Sequence, residues 1–368
     1  MRVVRSYPDL TPELADEWDD LVTRAAATPF HRPGWISAWW DAFGTGTLSV
    51  ATVRFDGVLT AIQPLVEPRA GVLGSPANWH SFVFGPVAAD ADSLASLLKH
   101  VFTRPVGKVE LSHLAAGDAD IVCRAAYRHG CRVRTTTIQR SPFVPQGRSF
   151  EDYVQRRDRR RVRALGRNRE RLQAAGDVTF TVHQDQDDLG DAVEQFFELE
   201  QCGWKSDAGT AILSDPATAQ FYRAATRWAA EAGMLRVALL RVDGTPVAGE
   251  LCIKDHRAVH ALKAGYDPAF RRYTPGLLVQ FDMIERALGA GLGYEFLGSA
   301  EPYKLNWADD VHDIDRLDVY PSTFAGSRAQ LAELGVRAAR RGVAVVGHAG
   351  AEAARRIRAR QRQAVPSG

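Results

Sequence analysis

Hydrophobic residues recur along the chain with two different periods. Thr11 precedes a stretch with the 3.6-residue period of a helix and is placed to cap it. Trp35, Trp39 and Phe43 are spaced by four residues, which predicts one buried helical face. Between the helical stretches lie short runs rich in Val, Ile and Thr that are typical of β-strands. The pattern predicts an α/β or α+β fold with a mixed central sheet flanked by helices.

The two halves of the chain show a similar order of predicted elements. Two β-rich runs flank Asp56-Gly57 in the first half, and two more flank Asp243-Gly244 in the second. Asp-Gly between such runs predicts a tight hairpin. The recurrence indicates an internal duplication only weakly, because a single dipeptide recurs easily by chance.

The length of the chain favours more than one domain. At 368 residues it exceeds the roughly 250–300 residues that one hydrophobic core usually serves. We expect an N-terminal domain at 1–147, a second domain at 148–325 and a basic helical tail at 326–368.

Composition excludes several classes of protein. The net charge of +2 produces no overall field that would demand a polyanionic partner. No segment reaches the roughly 18–20 apolar residues of a membrane span, and the first residues lack the pattern of a signal peptide. The four cysteines lack CxxC spacing, so we expect packed, reduced thiols, no bound metal and a cytoplasmic protein.

The stretch 265–278, GYDPAFRRYTPGLL, joins a predicted strand to a predicted helix. Asp267-Pro268 ends the strand, because proline cannot continue a ladder. Thr274 is a suitable N-cap, and Gly276 in the first helical turn allows a ligand to approach the backbone. Such a helix start is an anion site.

Two arginines strengthen this interpretation. Arg271 and Arg272 lie just before the helix start, where guanidinium groups could bind phosphate oxygens in a bidentate manner. The alternative is an ordinary capped helix whose arginines are solvated. On spacing alone the two interpretations are about equal.

The sequence resembles a known superfamily at this point. A strand, an arginine-containing loop, a glycine at a helix start, a long helix and another strand resemble the acyl-CoA-binding segment of the GNAT acetyltransferases. More closely, YDPAFRRYTPG followed by GSAEPYKLNWA is similar to the BioF2-like or CelD-like acetyltransferase domain, which is related to Fem-type aminoacyl-tRNA-dependent peptidyltransferases. The resemblance covers roughly 150–320 and implies a tandem GNAT-like fold, the first half being degenerate.

The resemblance also assigns roles in the loop after the last predicted strand of this segment. Acyl transfer to an amine needs a base and an acid, and Glu301 and Tyr303 are the candidates for these roles. Lys304 could hold an anionic group of the substrate. In the alternative interpretation Tyr303 and Trp307 form one packed helical face, and Glu301 and Lys304 are solvated.

Four further residues complete the predicted substrate site. Trp204 and Lys205 follow a predicted helix and are candidates for contact with the acceptor, as is Trp307. Asp267 could assist as a second base, although Asp before Pro is first of all a turn former.

The segment 156–171 is rich in arginine, and a helix over it would carry a basic stripe formed by Arg156, Arg160, Arg163, Arg167 and Arg171. The stripe could bind tRNA or another polyanion, reach the 3′-phosphate of CoA, or be a solvated face.

The resemblance implies an acyltransferase that uses acetyl-CoA or another acyl-CoA as co-substrate. Direct transfer to an amine of a small molecule is the expected N-acetyltransferase reaction. Aminoacyl transfer from charged tRNA, supported by the basic stripe, is the alternative donor chemistry. A binding module that kept the fold and lost the chemistry is the third possibility.

Overall fold

The structure, a computed structural model, describes residues 2–202 and 211–336. The helices are α1 (Pro12–Arg24), α2 (Pro33–Phe43), α3 (Ala91–Phe102), α4 (Ala116–Arg128), α5 (Phe150–Gln155), α6 (Arg159–Gln173), α7 (Gln186–Gln201), α8 (Pro216–Glu231), α9 (Pro275–Gly289) and α10 (Pro302–Leu305), followed by α11 at 324–336. The strands are β1 (Arg2–Tyr7), β2 (Thr47–Phe55), β3 (Val58–Arg69), β4 (Val72–Gly74), β5 (Val87–Ala88), β6 (Lys108–Ala115), β7 (Arg132–Val144), β8 (Val178–His183), β9 (Leu235–Val242), β10 (Thr245–Lys254), β11 (Ala258–Tyr266), β12 (Gly293–Glu295) and β13 (Asp310–Tyr320). The predicted mixed α/β architecture is confirmed.

One continuous sheet runs through the described residues in the order β1-β2-β3-β4-β6-β13-β7-β12-β11-β10-β9-β8. Read inward from either edge, the sheet has the same order. Four strands are joined by antiparallel pairings, a fifth strand pairs in parallel with the fourth, and a strand from the other half follows. The parallel pairs are β4 with β6 and β11 with β12. The sheet therefore has approximate two-fold symmetry.

The two halves exchange their last strands. β7 lies between β12 and β13, and β13 lies between β6 and β7. Each half thus completes the sheet of the other.

The two predicted Asp-Gly hairpins have the same geometry. Both residues of each turn have positive φ, 48° and 88° at Asp56-Gly57 and 49° and 80° at Asp243-Gly244, as type I′ hairpins require. The pairing of each hairpin also shifts register three residues after the turn, at Thr60 and at Val247. Together with the sheet order, this supports the internal duplication that the dipeptides indicated only weakly.

A shared hydrophobic core holds the halves together. α2 packs on α8, where the ring centroids of Trp35 and Phe221 lie 5.1 Å apart. Trp35 and Trp39 are buried and Phe43 is half-buried, so the predicted helical face belongs to the core. Thr11 caps α1 as predicted, since its side chain accepts a hydrogen bond from the Leu14 N–H.

The arginine-rich segment differs from the prediction. The expected continuous helix is interrupted after α5, because Asp158 caps a new helix, α6, by accepting from the Arg160 N–H. Arg157 turns inward at the break, where its guanidinium pairs with Asp309 and covers the Tyr153 ring. The prediction of one stripe from Arg156 onward is therefore wrong: Arg156 lies at the end of α5, outside α6.

Candidate active site

A cavity opens where β11 and β12 diverge. The two strands pair only over Ala258–His260 and Gly293–Glu295, after which β11 continues to Tyr266 without β12 beside it. The cavity of about 640 Å³ lies in this gap and extends from the start of α9 to the loop after β12.

The start of α9 forms one end of the cavity. Arg271, Thr274 and Gly276 line it, as the sequence predicts for the anion site. The side chain of Thr274 does not cap the helix: the residue has φ 50°, and its Oγ1 instead accepts from Asn168 Nδ2 at 3.1 Å. The predicted side-chain cap is therefore wrong, and the helix end remains open to an anion from the cavity.

Arg272 and Asp267 have local partners. Arg272 donates to the Tyr273 hydroxyl at 2.6 Å and lies over the ring of that residue, outside the cavity lining. Asp267 accepts from the Ala269 N–H at 2.8 Å and caps the 3₁₀ helix Pro268–Tyr273. Of the two arginines, the geometry thus points Arg271 toward a ligand.

The other end of the cavity carries Glu301, Tyr303 and Lys304. Lys304 is buried, and its Nζ donates to the Leu297 carbonyl at 2.8 Å and pairs with Glu301 Oε2 at 2.7 Å. Lys304 therefore ties the end of the strand to Glu301, an arrangement that the sequence interpretation did not foresee.

Tyr303 is about half exposed, with 46% of its surface accessible. Partial burial raises the pKa of Tyr303 above its ordinary value, and the neighbouring charges of Glu301 and Glu250 add smaller effects in the same direction. The phenol therefore keeps its proton at neutral pH.

Sequence reasoning missed Glu250, which is 1% exposed in β10 and lines the same cavity. Its Oε1 accepts from the Tyr294 hydroxyl at 2.7 Å, and the Cys252 thiol lies 3.6 Å from its Oε2. Burial raises the pKa of Glu250 to about 7, against the opposing effect of its hydrogen bonds. One acidic residue within the apolar run 247–253 was the available signal, since buried carboxylates concentrate at functional sites.

A second cavity of about 660 Å³ opens on the N-terminal half. Its wall includes Trp79, which is 63% exposed and lies with its ring centroid 5.1 Å from Lys263 Nζ. The two cavities share five lining residues, Phe82, Leu262, Lys263, Gly298 and Glu301. They therefore meet beside Glu301, and Trp79 is another residue that sequence reasoning missed.

The remaining predicted substrate contacts are Trp307, Trp204 and Lys205. Trp307 is buried against Phe281, with ring centroids 5.5 Å apart, and does not line either cavity. This is a packing position, as the alternative interpretation held for Trp307. Trp204 and Lys205 lie outside the described residues.

The exposed face of α6 adjoins the anion site. Arg171 lies 5.7 Å from the Tyr273 ring centroid, and Asn168 binds Thr274. Arg169 is already paired with the buried Asp282. The exposed arginines of α6 are Arg159, Arg160, Arg161, Arg163, Arg167 and Arg171.

The described ranges contain neither a metal-binding cluster nor a membrane-spanning helix. Within residues 2–202 and 211–336, no group of three or more His, Cys, Asp or Glu could hold a metal ion. No helix in the same ranges is long and apolar enough to cross a membrane.

A family model assigns the class of this site. Residues 158–305 match the model of the acetyltransferase (GNAT) domain. The chain therefore carries an acyltransferase domain of the GNAT superfamily. No curated protein sequence matches the chain.

Solved structures resemble the whole fold. FemX superposes with a TM-score of 0.59 at 12% identity, covering 85% of this chain and 96% of that one. A conserved protein of unknown function from Bacteroides thetaiotaomicron gives a TM-score of 0.55 at 10% identity, covering 86% and 99%. The C-terminal domain of a putative lysylphosphatidylglycerol synthetase from Agrobacterium fabrum gives 0.51 at 13% identity, covering 86% and 95%. At these identities the likeness shows the fold alone. The predicted tandem GNAT-like architecture is supported by the GNAT match of residues 158–305 together with the two-fold symmetry of the sheet.

Proposed function

We propose that the chain transfers an acyl group from an acyl-CoA to the amine of a small molecule, with both substrates bound together. The carrying observation is that the two cavities meet at Glu301. A donor in the cavity between β11 and β12 and an acceptor in the second cavity would place their reacting atoms side by side. Such positioning supplies much of the rate enhancement of a transfer reaction.

The donor would bind with its phosphates at the start of α9. Positive helix-end charge and the guanidinium of Arg271 both attract phosphate oxygens there. A Cβ at Gly276 would meet only the Tyr266 ring within the described residues, at 3.5 Å, so the backbone is accessible from the cavity. The acyl end of the donor then points toward the loop after β12.

Glu301 and Tyr303 would carry the proton transfers. Glu301 takes a proton from the acceptor ammonium, and the free amine attacks the thioester carbonyl carbon. A carbon–nitrogen bond forms, the carbon–sulfur bond breaks, and Tyr303 gives its proton to the leaving thiolate. The nitrogen gives up its second proton to the Tyr303 phenolate or to water as the amide forms. Both side chains are exposed enough to exchange protons with water afterwards.

CoA binding tests the donor assignment. We expect CoA to raise the Tm, since a ligand at 100 times its Kd stabilises by about 2.7 kcal/mol. Arg271→Ala should weaken CoA binding about tenfold by calorimetry, because a charge-assisted phosphate contact is lost. Arg272→Ala is the matched control, since Arg272 is held by Tyr273. Unchanged CoA affinity in Arg271→Ala would refute the assignment.

Aminoacyl-tRNA is a second candidate donor, favoured by the exposed arginines of α6 beside the anion site. A tRNA that bridges this face and the cavity predicts binding that falls steeply with salt. Binding of bulk aminoacyl-tRNA at 50 and 200 mM salt, compared between the parent chain and Arg163→Ala/Arg167→Ala, measures this. Tight, salt-sensitive tRNA binding without CoA binding would replace the first candidate by the second.

A further inference from the structure

The donor cavity contains two buried hydrogen-bond acceptors that the proposed transfer does not use. Glu250 of β10 and Gln280 of α9 both line it, at 1% and 7% exposure. Apolar walls would suffice for an acetyl group. A carboxyl group and an amide at this depth therefore call for a physical explanation.

Gln280 is incompletely satisfied. Its amide hydrogen-bonds to Glu250, but its Oε1 has no partner among the residues that the structure describes. A buried acceptor without a partner has lost its hydrogen bonds to water and gained none in exchange, so it destabilises the fold. Such a group persists most readily where a ligand supplies the missing donor.

The position of the pair identifies which part of a ligand it would face. Glu250 interacts electrostatically with Tyr303 and with Lys304, so it lies near the transfer end of the cavity. Gln280 comes four residues after Gly276 in α9, about 6 Å along the helix from the phosphate end. Neither Glu250 nor Gln280 lines the second cavity. The pair therefore faces the acyl end of the donor rather than the acceptor.

We propose that the acyl group accepted by this site carries a hydrogen-bond donor, an amino or hydroxyl group, bound between the Glu250 carboxyl and Gln280 Oε1. This inference rests on the proposed acyl transfer and narrows its substrate class. It holds for a CoA thioester and for an aminoacyl ester alike, because the recognised chemistry is the polar substituent of the acyl group.

Matched pairs of CoA thioesters test the inference on the full chain. Propanoyl-CoA is compared with 3-aminopropanoyl-CoA, and butanoyl-CoA with 3-hydroxybutanoyl-CoA, by calorimetric Kd, with free CoA as the reference. We expect at least one polar member to bind about tenfold or more tightly than its apolar partner, as a charge-assisted hydrogen bond in a dry site does. Equal affinity within both pairs, with CoA still bound, would overturn the inference and leave the proposed function intact.

Two variants locate the effect. Glu250→Gln removes the charge, and Gln280→Met removes the acceptor at nearly constant volume. Each should reduce the preference within the pairs about tenfold while free-CoA affinity stays within about twofold, which also shows that the variant is folded. A preference that survives in both variants would place recognition elsewhere and overturn the inference.

A further experiment distinguishes an acyl-CoA donor from an aminoacyl-ester donor. A stable amide analogue of 3′-aminoacyl-adenosine is measured in the parent chain and in Glu250→Gln. If no CoA compound binds, the acyl-CoA assignment itself fails. Binding of the analogue that depends on Glu250 would then support polar acyl recognition on an ester donor, and binding that ignores Glu250 would overturn it.

Discussion

The two halves of the sheet contain the same gap and use it differently. β4 and β6 pair over three residues, Val72–Gly74 with Lys108–Glu110, as β11 and β12 do. Each gap adjoins a cavity, and a residue with left-handed backbone follows each short pairing: His113 at φ 65° and Leu297 at φ 51°. A duplicated framework thus offers two cavities that meet at Glu301.

The ends of the equivalent helices differ. α3 precedes β6 as α9 precedes β12. Asp90 caps α3 by accepting from the Ser93 N–H at 2.7 Å, and it pairs with Arg2 at 3.5 Å. Thr274 leaves α9 uncapped by its side chain. A carboxylate occupies the helix end in the first half, whereas that position has no capping side chain in the second.

The two halves also differ at one buried position in the strand next to β4 and in the strand next to β11. Counted from the two hairpin glycines, Gln63 of β3 is the counterpart of Glu250 in β10, and the register shifts in both strands agree with this pairing. Both side chains are 1% exposed. The first half therefore has a neutral amide where the second has a titratable carboxyl.

The strongest test of the comparison removes the carboxylate of Glu301, which lines both cavities. We expect Glu301→Gln to lower kcat by about 10²-fold or more, because the acceptor amine loses its base. CoA affinity should change little, since the phosphates bind at the other end of the cavity. Thiol release in the presence of an active amine measures kcat, and calorimetry measures the CoA affinity.

The control for this experiment is Glu285→Gln, an exposed position on α9 away from both cavities. An equal loss of rate in the two variants would contradict the role of Glu301. A loss of CoA affinity that accounted for the whole loss of rate would do the same.

Replacing Glu250 by Gln gives β10 the same residue as Gln63, its counterpart in β3. The substitution should alter the free energy of unfolding in a pH-dependent way. A carboxyl whose pKa is raised from 4.5 to about 7 favours the folded state below its unfolded pKa, and that contribution is lost as pH rises through 7. Glu250→Gln should therefore gain stability relative to the parent chain between pH 5 and pH 8, by up to about 3 kcal/mol. Denaturant unfolding at both pH values measures the gain, and a pH-independent difference would contradict it.

Closing the end of α9 should make it resemble α3. Thr274→Asp places a carboxylate at the open helix end, in a left-handed conformation that Asp tolerates. Its charge should weaken CoA binding about tenfold. Thr274→Asn is the matched control with a similar shape and no charge, and it should stay within about threefold. Equal losses in both variants would show that the lost hydroxyl matters rather than the charge.

Local chemistry made much of this predictable. Hydrophobic periods located the helices and strands, and the Asp-Gly turns located both hairpins, because these signals depend on neighbouring residues. The exchange of β7 and β13 was not predictable, since a strand pattern does not identify its partner. Of the residues predicted for the anion site, Arg271 and Gly276 line the cavity. Arg272 instead binds the neighbouring Tyr273, a contact that the sequence alone could not select.

Long-range contacts account for the other differences. Arg157 counts as one more basic residue in the sequence, but at the helix break its side chain is buried against Tyr153 and Asp309. Lys304 and Trp307 were both expected at the substrate. Lys304 lines the cavity, although its ammonium group is bound to the Leu297 carbonyl, whereas tertiary contacts place Trp307 in the core. Glu250 could be recognised as a candidate only once the structure showed the cavity that it lines.

The smallest effect expected concerns the capped helix. Asp90→Ala should lower the free energy of unfolding by about 1 kcal/mol at pH 7, as the loss of an N-cap does, and leave CoA affinity unchanged. The Ser93 N–H lowers the pKa of Asp90, so its contribution is present above the unfolded pKa and is lost as acid protonates it. The deficit should therefore shrink in acid, and Asp92→Asn, which alters a carboxyl beside the cap without removing the cap, is the control. Weaker CoA binding in Asp90→Ala would mean that the donor reaches the first half after all, which would break the division between the two gaps.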